Sequence, residues 1–160
     1  MFEKYSHREV TDDDLVLICS FPKSAEELFL LFPSAAYPLT VPQLKASVMS
    51  RYDSTVIMSE GAVVGFANFY EVIKYDHCSI GNVIVDPQHR GQGLGEYLIG
   101  VMEEIAITKY HVKEIHISCF NSNVVGLLLY TKLGYKPYKI DKRLDKYLKP
   151  LALINTKKVV

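Results

Sequence analysis

The residues best suited to chemistry lie in one run, Val83-Ile84-Val85-Asp86-Pro87-Gln88-His89-Arg90-Gly91-Gln92-Gly93-Leu94-Gly95-Glu96. It reads as a strand, a short loop with three glycines and the start of a helix. A helix N-terminus leaves backbone N–H groups unpaired and carries a partial positive charge, so it attracts anions. Glycine lets a ligand reach that backbone without a side chain in the way. The chemistry implied is anion binding, with phosphate the leading candidate. A plain strand-to-helix turn is the competing reading, but it does not require glycine at three alternating positions.

Spacing narrows the choice. A dinucleotide loop needs Gly-x-Gly-x-x-Gly, and after Gly91 and Gly93 its third glycine would fall on Glu96. A P-loop needs Gly-Lys-Ser or Gly-Lys-Thr, which does not occur. Arg90-x-x-Gly93-x-Gly95 instead resembles the acyl-CoA pyrophosphate loop of the GNAT superfamily of N-acyltransferases. A second segment, Asn123-Val124-Val125-Gly126-Leu127-Leu128-Leu129-Tyr130-Thr131-Lys132-Leu133-Gly134-Tyr135, resembles that superfamily's later motif. There an Asn near a helix start is followed seven residues on by Tyr, then by Leu-Gly-Tyr or Leu-Gly-Phe. The interval between the two motifs has room for one helix and one strand. The resemblance is good over residues 62–140 and weak before them.

The resemblance implies acetyl-CoA as cosubstrate, no metal, and a role for each matching residue. The backbone of Val83, Ile84 and Val85 would pair with the pantetheine arm and help polarise the thioester carbonyl. Backbone N–H groups of Gly91, Gln92, Gly93, Leu94, Gly95 and Glu96 would hold the pyrophosphate, with Arg90 beside them. Asn123 would hydrogen-bond the pantetheine side. Tyr130 would stand near the sulfur and donate to the departing thiolate. Bland readings stand beside these: Arg90 as a surface residue, Asn123 as a helix N-cap, Tyr130 as a core tyrosine. A thiol titrates near about 8.5 and tyrosine near about 10, so full proton transfer is uphill by roughly 1.5 units, about 2 kcal/mol. A hydrogen bond that strengthens as sulfur gains charge still stabilises the transition state.

The base is the gap in the pattern. Family members carry Glu on the strand before or after the phosphate loop, and those positions correspond to Ser79 and Ser118. Glu71, Asp76, His77, His116 or a water remain as candidates, although His77 and His116 also read as ordinary hairpin and strand residues. An amine of pKa about 8 is roughly 10% neutral at pH 7, whereas a lysine amine near about 10.4 is only about 0.04% neutral. The missing carboxylates therefore lean towards an acceptor of low pKa. Phe29, Phe32, Tyr37, Tyr70 and Tyr75 are open between acceptor pocket and core.

The elements that must position these residues follow from periodicity. Residues 4–10 read as a strand. Thr11 opens a helix through Leu15–Ser20, Pro22 interrupts, Ser24 restarts a helix to Leu31, and Thr40 opens another with Pro42 in its first turn. Ser54–Ser59, Ala62–Val72 and Cys78–Val85 read as adjacent antiparallel strands. Leu94, Leu98, Val101, Met102 and Ile105 make one apolar helical stripe. Val112–Phe120 alternates, Asn123–Leu133 is helical with Gly134 as its stop, and Tyr135–Ile140 and Leu151–Lys158 close the pattern as strands. The fold implied is α/β (α+β): a GNAT-like, mostly antiparallel sheet of six or seven strands with four or five helices, splayed between the fourth and fifth strands. Residues 1–160 form one expected domain, with 1–60 on the acceptor side and 62–140 as the acyl-CoA-binding core.

Composition bounds the function. The chain has 160 residues, 49% hydrophobic and 22% charged, so a packed globular domain is expected. Lys+Arg and Asp+Glu both total 18, which argues against a nucleic-acid binder. The basic residues gather at 136–149, read as a solvated face, with an acidic acceptor or the CoA 3′-phosphate as alternatives. Cys19, Cys78 and Cys119 are scattered and odd in number, as in reduced cytosolic proteins. No stretch is long enough to span a membrane, and Met1–Arg8 lacks the apolar core of a signal peptide. The expected partner is a small-molecule, peptide or protein amine, with a homodimer left open. The expected activity is transfer of an acetyl group to a primary amine. A catalytically weak CoA-binding sensor is the alternative.

Overall fold

A computed structural model of the chain describes residues 4–160, so the part of the N-terminal reading that falls on Met1, Phe2 and Glu3 lies outside it. The alternating segments form seven strands: β1 (Tyr5–Glu9), β2 (Tyr52–Ser59), β3 (Ala62–Ile73), β4 (His77–Val85), β5 (Glu114–Phe120), β6 (Lys136–Leu144) and β7 (Pro150–Val159). The helices are α1 (Leu15–Cys19), α2 (Ala25–Leu31), α3 (Val41–Ser50), α4 (Leu94–Tyr110) and α5 (Val124–Lys132). Two of them start on a side-chain cap. Ser24 accepts from Glu27 N at the head of α2, and Asn123 accepts from Gly126 N at the head of α5. Gly134, at φ +95°, follows the last turn of α5, where a residue with a side chain would be strained.

One sheet holds all seven strands in the order β1-β2-β3-β4-β5-β7-β6. Every neighbouring pair is antiparallel except β4–β5, which α4 connects as a crossover and which run parallel. That single parallel pair is short: it runs from His77 opposite Glu114 to Ile80 opposite Ile117 and stops. Beyond it the two strands separate, as the fold class requires.

The sheet has a core on each face. Ile57, Ala67, Phe69, Cys78, Ile80, Ile115 and Ile117 pack with Leu94, Leu98, Ile99 and Met102 of α4 and with Tyr130 of α5. Val56, Val63, Phe66 and Ile84 pack on the other face with Leu15, Ile18, Leu28 and Leu44 of α1–α3. Strand alternation thus assigns His77, Ser79 and Gly81 of β4, and His116 and Ser118 of β5, to the α1–α3 face. A bulge breaks that alternation in β4. Asn68 pairs with Gly81 and Phe66 with Ile84, so Asn82 and Val83 together oppose Ala67, and Asn82 adopts φ +49°.

Candidate active site

The glycine loop leaves its backbone donors open. A short 3₁₀ turn, Pro87–His89, follows β4, and Asp86 caps it by accepting from Gln88 N at 3.0 Å. Gly91 and Gly93 then take φ +74° and +80°, a left-handed conformation that side chains disfavour. Gly93 is the residue that leads into α4. Among the described residues, the backbone N–H groups of Gly91 through Glu96 find no protein acceptor. Six successive donors at the positive end of a 17-residue helix fit a pyrophosphate. Gly95 serves packing as well: a Cβ there would lie 2.9 Å from Leu129 Cδ2, so its absence lets α5 lie against α4.

Two members of the loop carry other ties. Arg90 directs its N–H to Pro87 O, and its Nη2 donates to Glu27 Oε1 of α2 at 2.5 Å. Glu96 accepts from Lys132 Nζ at 3.2 Å, which places an α5 lysine at the same helix end.

The second motif lies across the splay. Past Ile80 the β5-facing edge of β4, including Val83, Ile84 and Val85, has no strand partner on that side. Asn123 holds the start of α5 with its side-chain oxygen, so the capping reading is realised and its Nδ2 remains available to donate. Tyr130 is 7% exposed, and its hydroxyl makes no hydrogen bond among the described residues. Burial, and to a smaller extent nearby Cys119, pushes its pKa above the ordinary tyrosine range. The group therefore stays protonated and keeps a proton free to donate.

The base candidates, separate in sequence, converge on the α1–α3 face. His77 Nε2 lies 2.6 Å from Glu71 Oε1 and His77 Nδ1 lies 2.7 Å from Asp76 Oδ2. The His116 ring stacks on His77 at 4.2 Å, and His116 Nε2 meets Glu114 Oε1 at 2.9 Å. Ser79 donates to Glu71 Oε1 at 3.4 Å, linking this network to the middle of β4. Burial pulls His77 down, but the hydrogen bonds and charges of Asp76 and Glu71 together outweigh it, and its pKa is raised. Ser118 instead donates to Asn155 of β7 at 2.8 Å.

Residues 23–135 match the model of the acetyltransferase (GNAT) family. The chain belongs to that family. It is an acetyl-CoA-dependent N-acetyltransferase. The enzyme is 24% identical over 135 residues to a spermine/spermidine N(1)-acetyltransferase of Bacillus subtilis, covering 81% of this chain and 86% of that one. Its fold matches a ribosomal-protein-alanine N-acetyltransferase of Brucella melitensis with TM-score 0.78 at 19% identity, over 97% and 99% of the two chains. It also matches an acetyltransferase of Salmonella typhimurium solved with its cofactor acetyl-CoA, with TM-score 0.75 at 18% identity, over 98% and 94%. The family match begins well before residue 62, so it takes in α2 and α3, which the two motifs leave outside.

Among the described residues, no cluster of His, Cys, Asp and Glu fits a metal, and no helix is long and apolar enough to cross a membrane. The aromatic candidates divide. Phe32 is buried, and with Tyr70 it flanks the guanidinium of Arg51. Phe29 stacks on Phe120 at 5.0 Å, Tyr75 stacks on His111, and the Tyr37 hydroxyl donates to Lys23 O. Sequence reasoning missed a polar centre beside the bulge. Ser47 Oγ donates to Asn82 Oδ1 at 2.7 Å, Asn82 Nδ2 reaches Leu31 O, and fully buried Asn68 joins Asn82, Ser54 and Arg51. No spacing rule links residues 47, 51, 68 and 82. Only the bulge at Asn82 brings them together.

Proposed function

We propose that the enzyme transfers the acetyl group of acetyl-CoA to a primary amine by direct attack of the amine nitrogen on the thioester. The observation that carries this reading is the run of six backbone donors, Gly91 to Glu96, beside a strand edge that has parted from its neighbour. These donors would hold the pyrophosphate, and the edge of Val83–Val85 would pair with the pantetheine arm. The Asn123 amide would donate to the same arm. Bound acetyl-CoA supplies an activated acyl group on sulfur.

The rest falls to this chain's side chains. The new C–N bond forms as the C–S bond breaks, and sulfur leaves as thiolate. Tyr130 donates a hydrogen bond to it. Because burial raises Tyr130 above its ordinary pKa, complete proton transfer is harder than the free-solution values suggest, so stabilisation rather than acid catalysis is its role. The proton lost by the amine passes to the Ser79–Glu71–His77 network, directly or through water. Both His77 nitrogens face carboxylates, which favours the imidazolium, so the network takes up the amine proton only after His77 has released its own. An acyl-cysteine route finds no support: burial pushes Cys78 up to about 12 and Cys119 up to about 11, which removes the thiolate.

The serines at positions 79 and 118 favour a second reading, a CoA-binding sensor with weak catalysis. Thermal unfolding with acetyl-CoA, with NAD and ATP as controls, tests the first half. Ligand at about 100 times its Kd stabilises by roughly 2.7 kcal/mol, a shift of roughly 5–11 °C for a chain of this size. Thiol release with an amine panel tests the second half. A shift without turnover on any amine favours the sensor. No shift with acetyl-CoA removes both readings.

A further inference from the structure

The chain has four arginines. Three are exposed and face carboxylates: Arg8 reaches Asp14 at 2.8 Å, Arg90 reaches Glu27 at 2.5 Å, and Arg143 lies 4.0 Å from Asp141. Arg51, just past α3, is the one that is partly buried, and among the described residues no carboxylate pairs with it. This inverts the usual order, since a charge withdrawn from water needs an opposite charge more than an exposed one does. Burial accordingly pushes the Arg51 pKa down.

We propose that Arg51 binds an oxyanion, carboxylate or phosphate, on the acceptor itself, so that the acceptors are small amines that also carry such a group. This rests on the reading of the enzyme as an amine acetyltransferase and names its substrate class.

The guanidinium is held in place by neutral partners. Nη1 donates to Asn68 Oδ1 at 3.2 Å, and Asn68 is anchored in turn by Ser47, Ser54 and Asn82. The rings of Phe32 and Tyr70 lie 6.0 and 5.6 Å from Cζ. These contacts fix the plane of the group without neutralising it, and the remaining N–H groups form the fork that recognises carboxylate and phosphate. The position is at the reaction zone. A Cβ on Gly81 would meet Arg51 Nη1 at 2.7 Å and Tyr70 Cδ1 at 2.8 Å, so the missing side chain makes room for this pair. Gly81 lies two strand positions past Ser79, about 7 Å away. A small molecule can therefore set its ammonium towards Ser79 and Glu71 and its oxyanion on Arg51. Arg51 also lines an open cleft of about 290 Å³ with Phe32, Gln43, Ala46, Ser47 and Ser50. A polyamine, which carries only cations, would meet repulsion here, so this site separates the chain from the polyamine acetyltransferase it resembles.

The test compares paired acceptors by CoA thiol release: amino acids against their decarboxylated amines, glucosamine 6-phosphate against glucosamine, and spermidine. The expected result is a kcat/KM at least about 10-fold higher for the oxyanion-bearing member of one pair, and the pair that responds tells carboxylate from phosphate. Arg51→Gln should collapse that ratio to near one, with Arg51→Lys in between, because a lysine keeps the charge and loses the fork. The thermal shift from acetyl-CoA, retained in both variants, certifies that they fold. A second readout does not depend on turnover. Thermal stabilisation by the N-acetylated amino acid, or by glucosamine 6-phosphate, each added with CoA, should appear in the parent and vanish in Arg51→Gln. Oxyanion-dependent stabilisation without turnover keeps this site and removes the acetyltransferase mechanism. Turnover with no preference for the oxyanion, a best substrate of spermidine, or no stabilisation by either oxyanion probe overturns the site.

Discussion

The loop of residues 91–96 and the sheet face around Arg51 and His77 offer a ligand different kinds of contact. The loop works with backbone: six N–H groups, two glycines at positive φ, and a helix end. Its parts are contiguous, and side-chain identity matters mainly through absence. The opposite face works with side chains drawn from α3, β3, β4 and β5, and each is held by a neighbour distant in sequence. A backbone site suits an invariant ligand such as a cofactor pyrophosphate. A side-chain site can be rebuilt one residue at a time, which suits an acceptor that differs between relatives.

The largest effect should come from the backbone site. Gly93→Val places a β-branched residue at φ +80°, a conformation that is strained for it, and adds bulk where the pyrophosphate would lie. Acetyl-CoA affinity should fall by at least about 10²-fold, so that the stabilisation of roughly 2.7 kcal/mol expected at about 100 times Kd drops to about 0.4 kcal/mol or less at the same ligand concentration. A variant that still shows the full thermal shift would sink the comparison, because the loop would then not be the anion site.

Tyr130→Phe comes next and separates chemistry from binding. Its hydroxyl has no protein partner among the described residues, so its removal breaks no internal hydrogen bond. Removal of a donor to developing charge costs about 10²–10³-fold in kcat. The KM for acetyl-CoA should hardly move. Unchanged kcat would return Tyr130 to the core, where its packing against Tyr135 already gives it a structural place.

The two regions also differ in how much of them could be read from the chain alone. The strand segments and the helix starts at Ser24 and Asn123 follow from periodicity and capping residues, and the mostly antiparallel, splayed sheet follows from the family resemblance, but the order that inserts β7 between β5 and β6 does not. The glycine loop follows because its chemistry is local. The α1–α3 face does not. Glu71 and His77 meet because a register shift in β3 puts Glu71 opposite Ser79, and Asn68 meets Asn82 because β4 bulges there. Neither irregularity has a signature in residue type: Asn82 at φ +49° looks like any other strand residue in sequence. The charge count was equally blind to Arg51, since what distinguishes it is the absence of a partner in space.

His77→Gln sharpens the side-chain half. Because Asp76 and Glu71 raise the His77 pKa, the imidazolium persists above its ordinary value of 6.5. If loss of that proton creates the base, kcat/KM rises as pH increases through the raised value. His77→Gln should lower kcat/KM by about 10²-fold, at the low end for a general base, and should remove that ascending arm. An amine of pKa about 8 adds an ascending arm of its own, present in both proteins, so only the arm missing from His77→Gln belongs to His77. An unchanged profile assigns the proton to water. The stability contribution has the opposite sense: a raised folded-state pKa stabilises fully below 6.5, and the benefit is lost as pH rises through the raised value.

Asp14→Asn should move stability alone, and so marks where the acceptor face ends as chemistry and begins as scaffold. Arg8 donates to both Asp14 oxygens at 2.8 and 2.9 Å, and Thr11 N donates to Oδ2 at 2.7 Å, tying β1 to the start of α1. The Arg8 hydrogen bond outweighs burial and, with the Thr11 bonds, lowers the Asp14 pKa from 3.8 to about 2. A lowered carboxylate stabilises the fold above its unfolded pKa and loses that benefit as pH falls through the folded one. The shift corresponds to about 2 kcal/mol, reduced to about 1–2 kcal/mol because Arg8 is exposed and screened. Denaturation of the parent and Asp14→Asn should therefore differ by that amount at pH 7. The difference should shrink between about pH 4 and pH 2 as Asp14 is protonated. The acceptor KM at pH 7 should be unchanged. A raised KM would mean that the β1–α1 junction reaches the ligand, and the side-chain site would then extend one element further than Arg51 and the β3–β4 strands.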